Sequence, residues 1–383
     1  MRQLARDMAS CAAGGGRRPG GFATRLTRRL PLPACPTLAA LLPAVTALVL
    51  PSLAQNYAAS RTSDRGIAVI RLTDAARGVE VSIIPSIGNR AYEMKVHGKN
   101  ILYFPYSDIA ELERNPGLNG IPFLAPWANR LSEQGFWANG KKYQFNMELG
   151  NVRGALPIHG LLSNSPLWEV TEVAADSQSA YATSRLAFWK HPELMAQWPF
   201  AHEYEMTYRL SGGVLEVKTT VTNLGADAMP LVIGFHPYSR IPDIPRDQWM
   251  AHIPAGRRVV ADNRLIPTGE YRPMDLRNSI VLRGLTLDDG FLDLERDVEG
   301  RAHFWIESGG KKVETVFGPK YLVAVVWEPA PPPGQTRDFV CFEPMTAITN
   351  AVNLHHEGKY PDLPMLAPHS QWSESFWLQA SGI

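Results

Sequence analysis

Hydrophobic and polar residues alternate with a period of two along much of the chain. Between Tyr204 and Leu210, Tyr204, Met206, Tyr208 and Leu210 fall on one face, and Glu205, Thr207 and Arg209 on the other. Between Leu215 and Thr222, Leu215, Val217 and Val221 oppose Glu216, Lys218 and Thr222. Ser211-Gly212-Gly213 joins the two runs with the composition of a hairpin turn. A strand with one buried face requires this alternation, because successive side chains point to opposite sides of a sheet. Similar apolar runs predict further strands at Ile67–Leu72, Val79–Ile84, Met229–Gly234, Leu322–Trp327 and Phe339–Phe342. No stretch sustains a 3.6-residue period, and Pro192–Gln197 is the one short helix predicted. Many short strands punctuated by Gly and Pro predict an all-β fold, a large antiparallel β-sandwich or barrel.

Composition places this pattern in an ordinary globular chain. The 383 residues are 45% hydrophobic and 20% charged, with 31 Gly and 31 Pro. A formal net charge of +1 offers no global field for nucleic acid, so no nucleic-acid partner is expected. The charge is unevenly spread. Residues 1–54 carry seven arginines, no lysine and a single acid, Asp7, and end in an apolar stretch from Leu38 to Leu53. A basic segment, an apolar run and small residues at Ala54 describe a signal peptide, cleaved near Gln55. Prolines at 31, 33, 36, 43 and 51 interrupt the run, which speaks against a retained membrane anchor. Removal of 1–54 takes Lys+Arg from 38 to 31 and Asp+Glu from 37 to 36, leaving a mildly acidic chain. The expectation is therefore one domain over 55–383, exported to the periplasm or beyond, without stable membrane contact. It keeps one cysteine, Cys341, because Cys11 and Cys35 fall in the leader, and so forms no internal disulfide.

An all-β fold says nothing by itself about function, which must be argued from particular residues. The chain lacks a Gly-rich phosphate loop, a G-x-S-x-G elbow and an H-E-x-x-H pair. His355-His356-Glu357 reads as a polar loop, and Asp288-Asp289-Gly290 lacks the alternating acids of a calcium loop. Four polar clusters stand out against apolar surroundings: Trp127-Ala128-Asn129-Arg130, Ile158-His159-Gly160, Phe235-His236-Pro237-Tyr238 and Phe342-Glu343-Pro344-Met345-Thr346. Taken singly, each has a bland explanation as a turn or a strand end.

Together they resemble the aldose 1-epimerases, or galactose mutarotases. Residues 119–131, Asn-Gly-Ile-Pro-Phe-Leu-Ala-Pro-Trp-Ala-Asn-Arg-Leu, are similar to that family's segment ending in Asn-Arg. His159-Gly160, His236-Pro237-Tyr238 and Leu287-Asp288-Asp289-Gly290-Phe291 resemble its next three elements in order. Glu343-Pro344-Met345-Thr346 with Asn350-Ala351-Val352-Asn353 resembles its C-terminal signature. The resemblance spans roughly residues 65–380. It implies a β-supersandwich and interconversion of the α and β anomers of a free aldose, such as galactose or glucose, with no metal or organic cofactor. It further implies His236 as general acid and Glu343 as general base, with Arg130, His159, Asp288, Asn129 and Trp127 binding the sugar. Trp127 is the first choice as an aromatic wall and Tyr238 the second. Ser239 and the Leu161-Leu162 pair depart from the family pattern, and the Pro331–Pro333 run sits just before the Glu343 strand. None of these removes a catalytic group.

The chemistry of those residue types agrees with the resemblance. Opening a hemiacetal removes a proton from the C1 hydroxyl and adds one to the ring oxygen, so a base and an acid must flank the pyranose together. A carboxylate and an imidazole suit both roles near neutral pH. Two alternatives stay open at this level: a hexose-6-phosphate 1-epimerase, which would need a basic cluster for its phosphate, and a carbohydrate-binding module, which would not need both His236 and Glu343.

Overall fold

The predicted hairpin forms as read. In the computed structural model, strands His202–Ser211 and Val214–Asn223 pair antiparallel with Leu210 opposite Leu215 and Tyr208 opposite Val217. Residues 56–148, 152–153, 155–276, 279–330 and 337–383 are described. The predicted leader over 1–54, with Cys11 and Cys35, and the Pro331–Pro333 run lie outside them.

The hairpin sits within a nine-stranded sheet, where Val214–Asn223 also pairs with the long C-terminal strand Gln371–Ser381. An eight-stranded sheet faces it. Six of its strands run in the order Ala255–Ala261, Leu287–Leu294, Val323–Glu328, Val340–Met345, Gly234–Phe235 and, at one edge, Phe123–Leu124. All these neighbours are antiparallel. Aromatic side chains lock the two sheets together: Phe235 meets Phe376 at 4.8 Å, Phe123 meets Tyr204 edge-on at 5.2 Å, and Phe304 meets Phe342 at 5.5 Å between ring centroids. One continuous apolar cluster runs from Ile70 to Leu378 and joins both faces. Burying aromatic side chains of this size contributes a large share of the hydrophobic stabilisation. A five-stranded sheet over residues 57–100 packs beside them, tied to the hairpin where the Tyr208 hydroxyl donates to the Asn89 carbonyl at 2.8 Å.

The all-β expectation therefore holds, with local departures. The run read as one strand over Met229–Gly234 is two short strands, Met229–Pro230 and Gly234–Phe235. Between them the backbone turns to other partners: Leu231 N–H donates to Pro364 O, and Val232 O accepts from Ala128 N–H. Helix Pro192–Gln197 is present as predicted. Two further short helices are not foreshadowed by periodicity, Ile109–Arg114 and Ala351–His356. The second corrects the reading of His355-His356 as loop. Both lie in its last turn, with the His356 ring stacked on Trp137 at 3.7 Å.

Candidate active site

Strand pairing gathers the polar clusters on one face of the eight-stranded sheet. Glu343 lies on Val340–Met345 opposite Val325, and Trp327 lies opposite both Cys341 and Asp288. Alternation then sends Phe342 into the core, against Phe304, and Glu343 to the other side. His236 follows the short strand Gly234–Phe235, and its backbone N–H donates to Pro122 O at 3.1 Å. Two residues on, Tyr238 pairs with Cys341 and donates its N–H to Gly120 O at 2.9 Å. The sheet is thus extended sideways by segment 120–124, which holds the His236 backbone in place.

Asn129 and His159 arrive from loops and take the left-handed conformation, with φ of 55° and 61°. That conformation is tolerated best by Asn, Asp and His among residues with a side chain. The loops are joined where His159 N–H donates to Asn129 O at 3.0 Å and Leu131 N–H donates to Pro157 O at 3.0 Å. Gly160 permits the next contact, because a Cβ there would stand 2.1 Å from the Ala125 carbonyl oxygen.

These elements enclose a cavity of about 270 Å³, lined by polar residues Asn129, Arg130, His159, His236, Asp288 and Glu343 with apolar Leu118, Ile158, Tyr238 and Trp327. His236 Nε2 stands 3.2 Å from Glu343 Oε1, and both side chains are nearly inaccessible, at 5% and 1% exposure. Glu343 Oε2 is buried without a hydrogen-bond partner among the described residues. Across the cavity Arg130 Nη2 pairs with Asp288 Oδ2 at 3.1 Å, and Arg130 Nη1 donates to Asn129 Oδ1 at 3.0 Å. The His159 ring meets the His236 ring edge to face at 5.4 Å. Tyr238 stacks flat on the other side of His236 at 4.7 Å, and Trp327 meets it edge-on at 5.4 Å.

Burial governs the protonation of the central pair. Desolvation pushes the Glu343 carboxyl well above the usual carboxylate range, and the Asp288 charge adds to that rise while Arg130 opposes it. Desolvation, aided by the Arg130 charge, pushes His236 down to about 3. Both directions favour the uncharged forms: a carboxyl that holds its proton more tightly beside an imidazole that accepts one less readily. Movement of a proton along the 3.2 Å contact gives carboxylate and imidazolium.

Six of the seven expected site residues line this cavity, and Trp127 does not. Its side chain is 1% exposed and packs against Phe145 and Trp198, at 4.6 and 6.2 Å between ring centroids. It is a core residue, because the backbone that places Asn129 and Arg130 at the cavity turns its neighbour inward. The aromatic wall is Trp327 with Tyr238. Trp327 could have been found from register alone: it is two residues from Val325, which faces Glu343, and therefore shares its face. Several motif residues turn out to brace the site. Asn350 Oδ1 accepts from Ser132 N–H at 2.9 Å, Asn353 Oδ1 accepts from Trp137 N–H at 3.2 Å, and the Thr346 hydroxyl donates to Leu231 O at 2.7 Å. Asp289 turns away from the cavity to Arg258, which donates to it through Nε at 2.7 Å. Among the described residues, no group of three or more His, Cys, Asp or Glu side chains is placed to hold a metal ion.

This fold has known counterparts. The family model described as aldose 1-epimerase matches residues 69–379. The chain belongs to the aldose 1-epimerase family. Among individual proteins, it is 27% identical over 256 residues to the uncharacterised protein YphB of Escherichia coli K12, covering 64% of this chain and 78% of that one. It is also 27% identical over 146 residues to the uncharacterised protein YihR of the same organism, where the match spans 38% of this chain and 44% of the relative's length. In three dimensions it resembles a galactose mutarotase-like protein of Clostridium acetobutylicum, with a TM-score of 0.75 at 24% identity over 86% of this chain and 99% of that chain. The last likeness is one of fold.

Proposed function

We propose that this protein is an aldose 1-epimerase that interconverts the α and β anomers of a free, uncharged aldose. The observation that carries the reading is the His236–Glu343 pair, sealed from solvent at 3.2 Å on the floor of a polar cavity. A binding site for sugar needs hydrogen-bonding groups and an aromatic wall; it does not need two buried titratable groups sharing one proton. In the carboxylate–imidazolium form, Glu343 removes the proton from the C1 hydroxyl while His236 delivers one to the ring oxygen, and the C1–O5 bond breaks. The free aldehyde rotates about C1–C2. Reclosure on its other face reverses the two roles: His236 takes back the O5 proton and Glu343 returns one to O1. The protein ends with the proton count it began with. Asp288 and Asn129 accept hydrogen bonds from sugar hydroxyls, His159 and Arg130 donate to sugar oxygens, and Trp327 offers an apolar wall.

Charge at the cavity supports a neutral substrate over a sugar phosphate. Arg130 is the one Lys or Arg on its wall among the described residues, and it is already committed to Asp288. A phosphate group calls for several free donors of this kind. The arginine-rich, acid-poor N-terminus supports export, which would place the enzyme with free sugars outside the cytoplasm. The test is polarimetric. Purified protein accelerates the optical-rotation change of freshly dissolved α-D-galactose or α-D-glucose, whereas a panel of aldoses that change only at the buffer rate would leave a sugar-binding protein as the better account.

A further inference from the structure

One buried charge beside the site has no part in the chemistry above. Arg90 opens strand Arg90–Val96 and is 0% exposed. Its Nη1 donates to Gly117 O at 2.7 Å, and its Nη2 donates to Ser163 O at 2.7 Å and to Asn164 Oδ1 at 2.6 Å. No carboxylate of the described residues forms an ion pair with it. Burial draws its pKa down to about 10, which leaves the guanidinium protonated at neutral pH. An enclosed cation held only by neutral acceptors is expensive to desolvate, and its Nε is buried without a hydrogen-bond partner among the described residues, so the Nη contacts carry the whole compensation.

The acceptors belong to two segments that each carry part of the cavity. Segment 117–122 supplies Leu118 to the wall, and its Gly120 and Pro122 carbonyls accept the backbone N–H groups of Tyr238 and His236. Segment 159–164 begins at His159, and its Leu161 and Leu162 N–H groups donate to Ala125 O at 2.8 and 3.2 Å. The second segment also runs hard against the residues just before Arg90. Gly88 N–H donates to Ser165 O at 3.0 Å, and a Cβ on Gly88 would stand 2.1 Å from Ser163 O. Arg90 therefore lies where the backbone that fixes His236 and the backbone that carries His159 come together.

We propose that Arg90 is a positioning residue, whose guanidinium ties segment 117–122 to segment 159–164 and so sets the His159 imidazole against His236. It touches no sugar and acts through His159. A lysine keeps the charge but presents one compact ammonium, whereas the planar guanidinium donates in two directions to acceptors on both segments. The proposal rests on the epimerase reading for its kinetic arm only.

The test compares Arg90→Lys in the wild-type and His159→Asn backgrounds, by kcat and KM for anomer exchange and by the 15N-labelled histidine ring signals. In the wild-type background, Arg90→Lys should keep a cooperative unfolding transition and lower kcat/KM by about tenfold, the scale of a lost charge-assisted hydrogen bond. In the His159→Asn background the same change should cost no more than about twofold, because the residue it acts through is gone. The His159 and His236 ring signals should move in Arg90→Lys, while those of the distant His303 stay in place. Losses that multiply in the double variant, or unmoved His159 signals, would overturn the proposal. Should Arg90→Lys fail to fold, Asn164→Ala removes one acceptor and keeps the charge; it must show a smaller loss with the same dependence on His159. A wild-type protein without epimerase activity would sink the functional reading, and the ring signals would still decide the role of Arg90.

Discussion

Two of the histidines that contact carboxylates, His236 and His303, are separated by their environments. His236 meets Glu343 at 3.2 Å with 5% of its side chain exposed. His303, on strand Ala302–Ser308, meets Asp297 at 2.8 Å and Glu314 at 3.0 Å with 37% exposed. Burial opposes protonation at both sites. At His303 the two carboxylate hydrogen bonds outweigh it and raise the pKa, whereas at His236 desolvation dominates and lowers it to about 3. Proximity to a carboxylate therefore does not make a histidine cationic; the balance between partner and solvent does. The half-buried cluster around His303 is an ion-pair network near the surface, where each pair contributes little. Burial biases the His236–Glu343 pair toward its uncharged forms, and its 3.2 Å contact gives a proton a path between them.

Breaking each pair should separate them most clearly in kinetics. His236→Asn and Glu343→Gln should each lower kcat/KM by about 10² or more, the usual contribution of a general acid or base. His303→Asn should leave the rate unchanged when assayed beside them. Asp288→Asn should fall between these extremes, with a loss of about tenfold or more from a weakened charged hydrogen bond that also releases Arg130; a full-rate variant would remove Asp288 from the site.

The pH profile sharpens the same contrast. The active pair holds one proton, so activity is lost in acid when it gains a second and in base when it loses the first. Because His236 is depressed to about 3 and Glu343 is raised, the plateau of kcat/KM should extend below 6.5, the ordinary value for imidazole. An acid limb centred at that ordinary value would show that the pair titrates as exposed groups do. His303 acts oppositely and on stability alone. Its pKa is raised in the folded protein, so its contribution is fully present below about 6.5 and fades as pH rises through the folded value. Thermal melts of wild type and His303→Asn should therefore converge at alkaline pH, by an amount smaller than any effect above.

The two tryptophans beside the site mark where sequence reasoning succeeded and where it failed. The hairpin from His202 to Asn223 was legible because one face alternates without interruption, and each buried position pairs with another across the strands. His236, Glu343 and Arg130 stood out as charged or titratable groups amid apolar residues, but their roles, and Asp288 altogether, came from the resemblance to the aldose 1-epimerases. Trp127 was misplaced because adjacency to Asn129 and Arg130 in sequence says nothing about which way a loop turns. Trp327 was missed because its place depends on the register between strands, which sets it opposite Asp288 and Cys341. The Asn350 and Asn353 clamps were hidden because their partners lie more than 200 residues away. Substitution tests this division. Trp127→Ala should destabilise the fold by about 3–5 kcal/mol, as large buried aromatics do. Trp327→Ala should raise KM with a smaller change in melting temperature, and the reverse pattern would exchange their roles.

The central claim, that the sealed pair passes protons to and from a free sugar, is tested most directly by exchange spectroscopy at anomeric equilibrium. Two-dimensional NMR of α- and β-anomer signals, for several aldoses, reads the interconversion rate without any net reaction. Wild-type protein should speed exchange for at least one neutral aldose, and His236→Asn and Glu343→Gln should each return it to near the buffer rate while still folding. Exchange that persists in either folded variant, or that never exceeds the buffer rate in the wild type, would contradict the account.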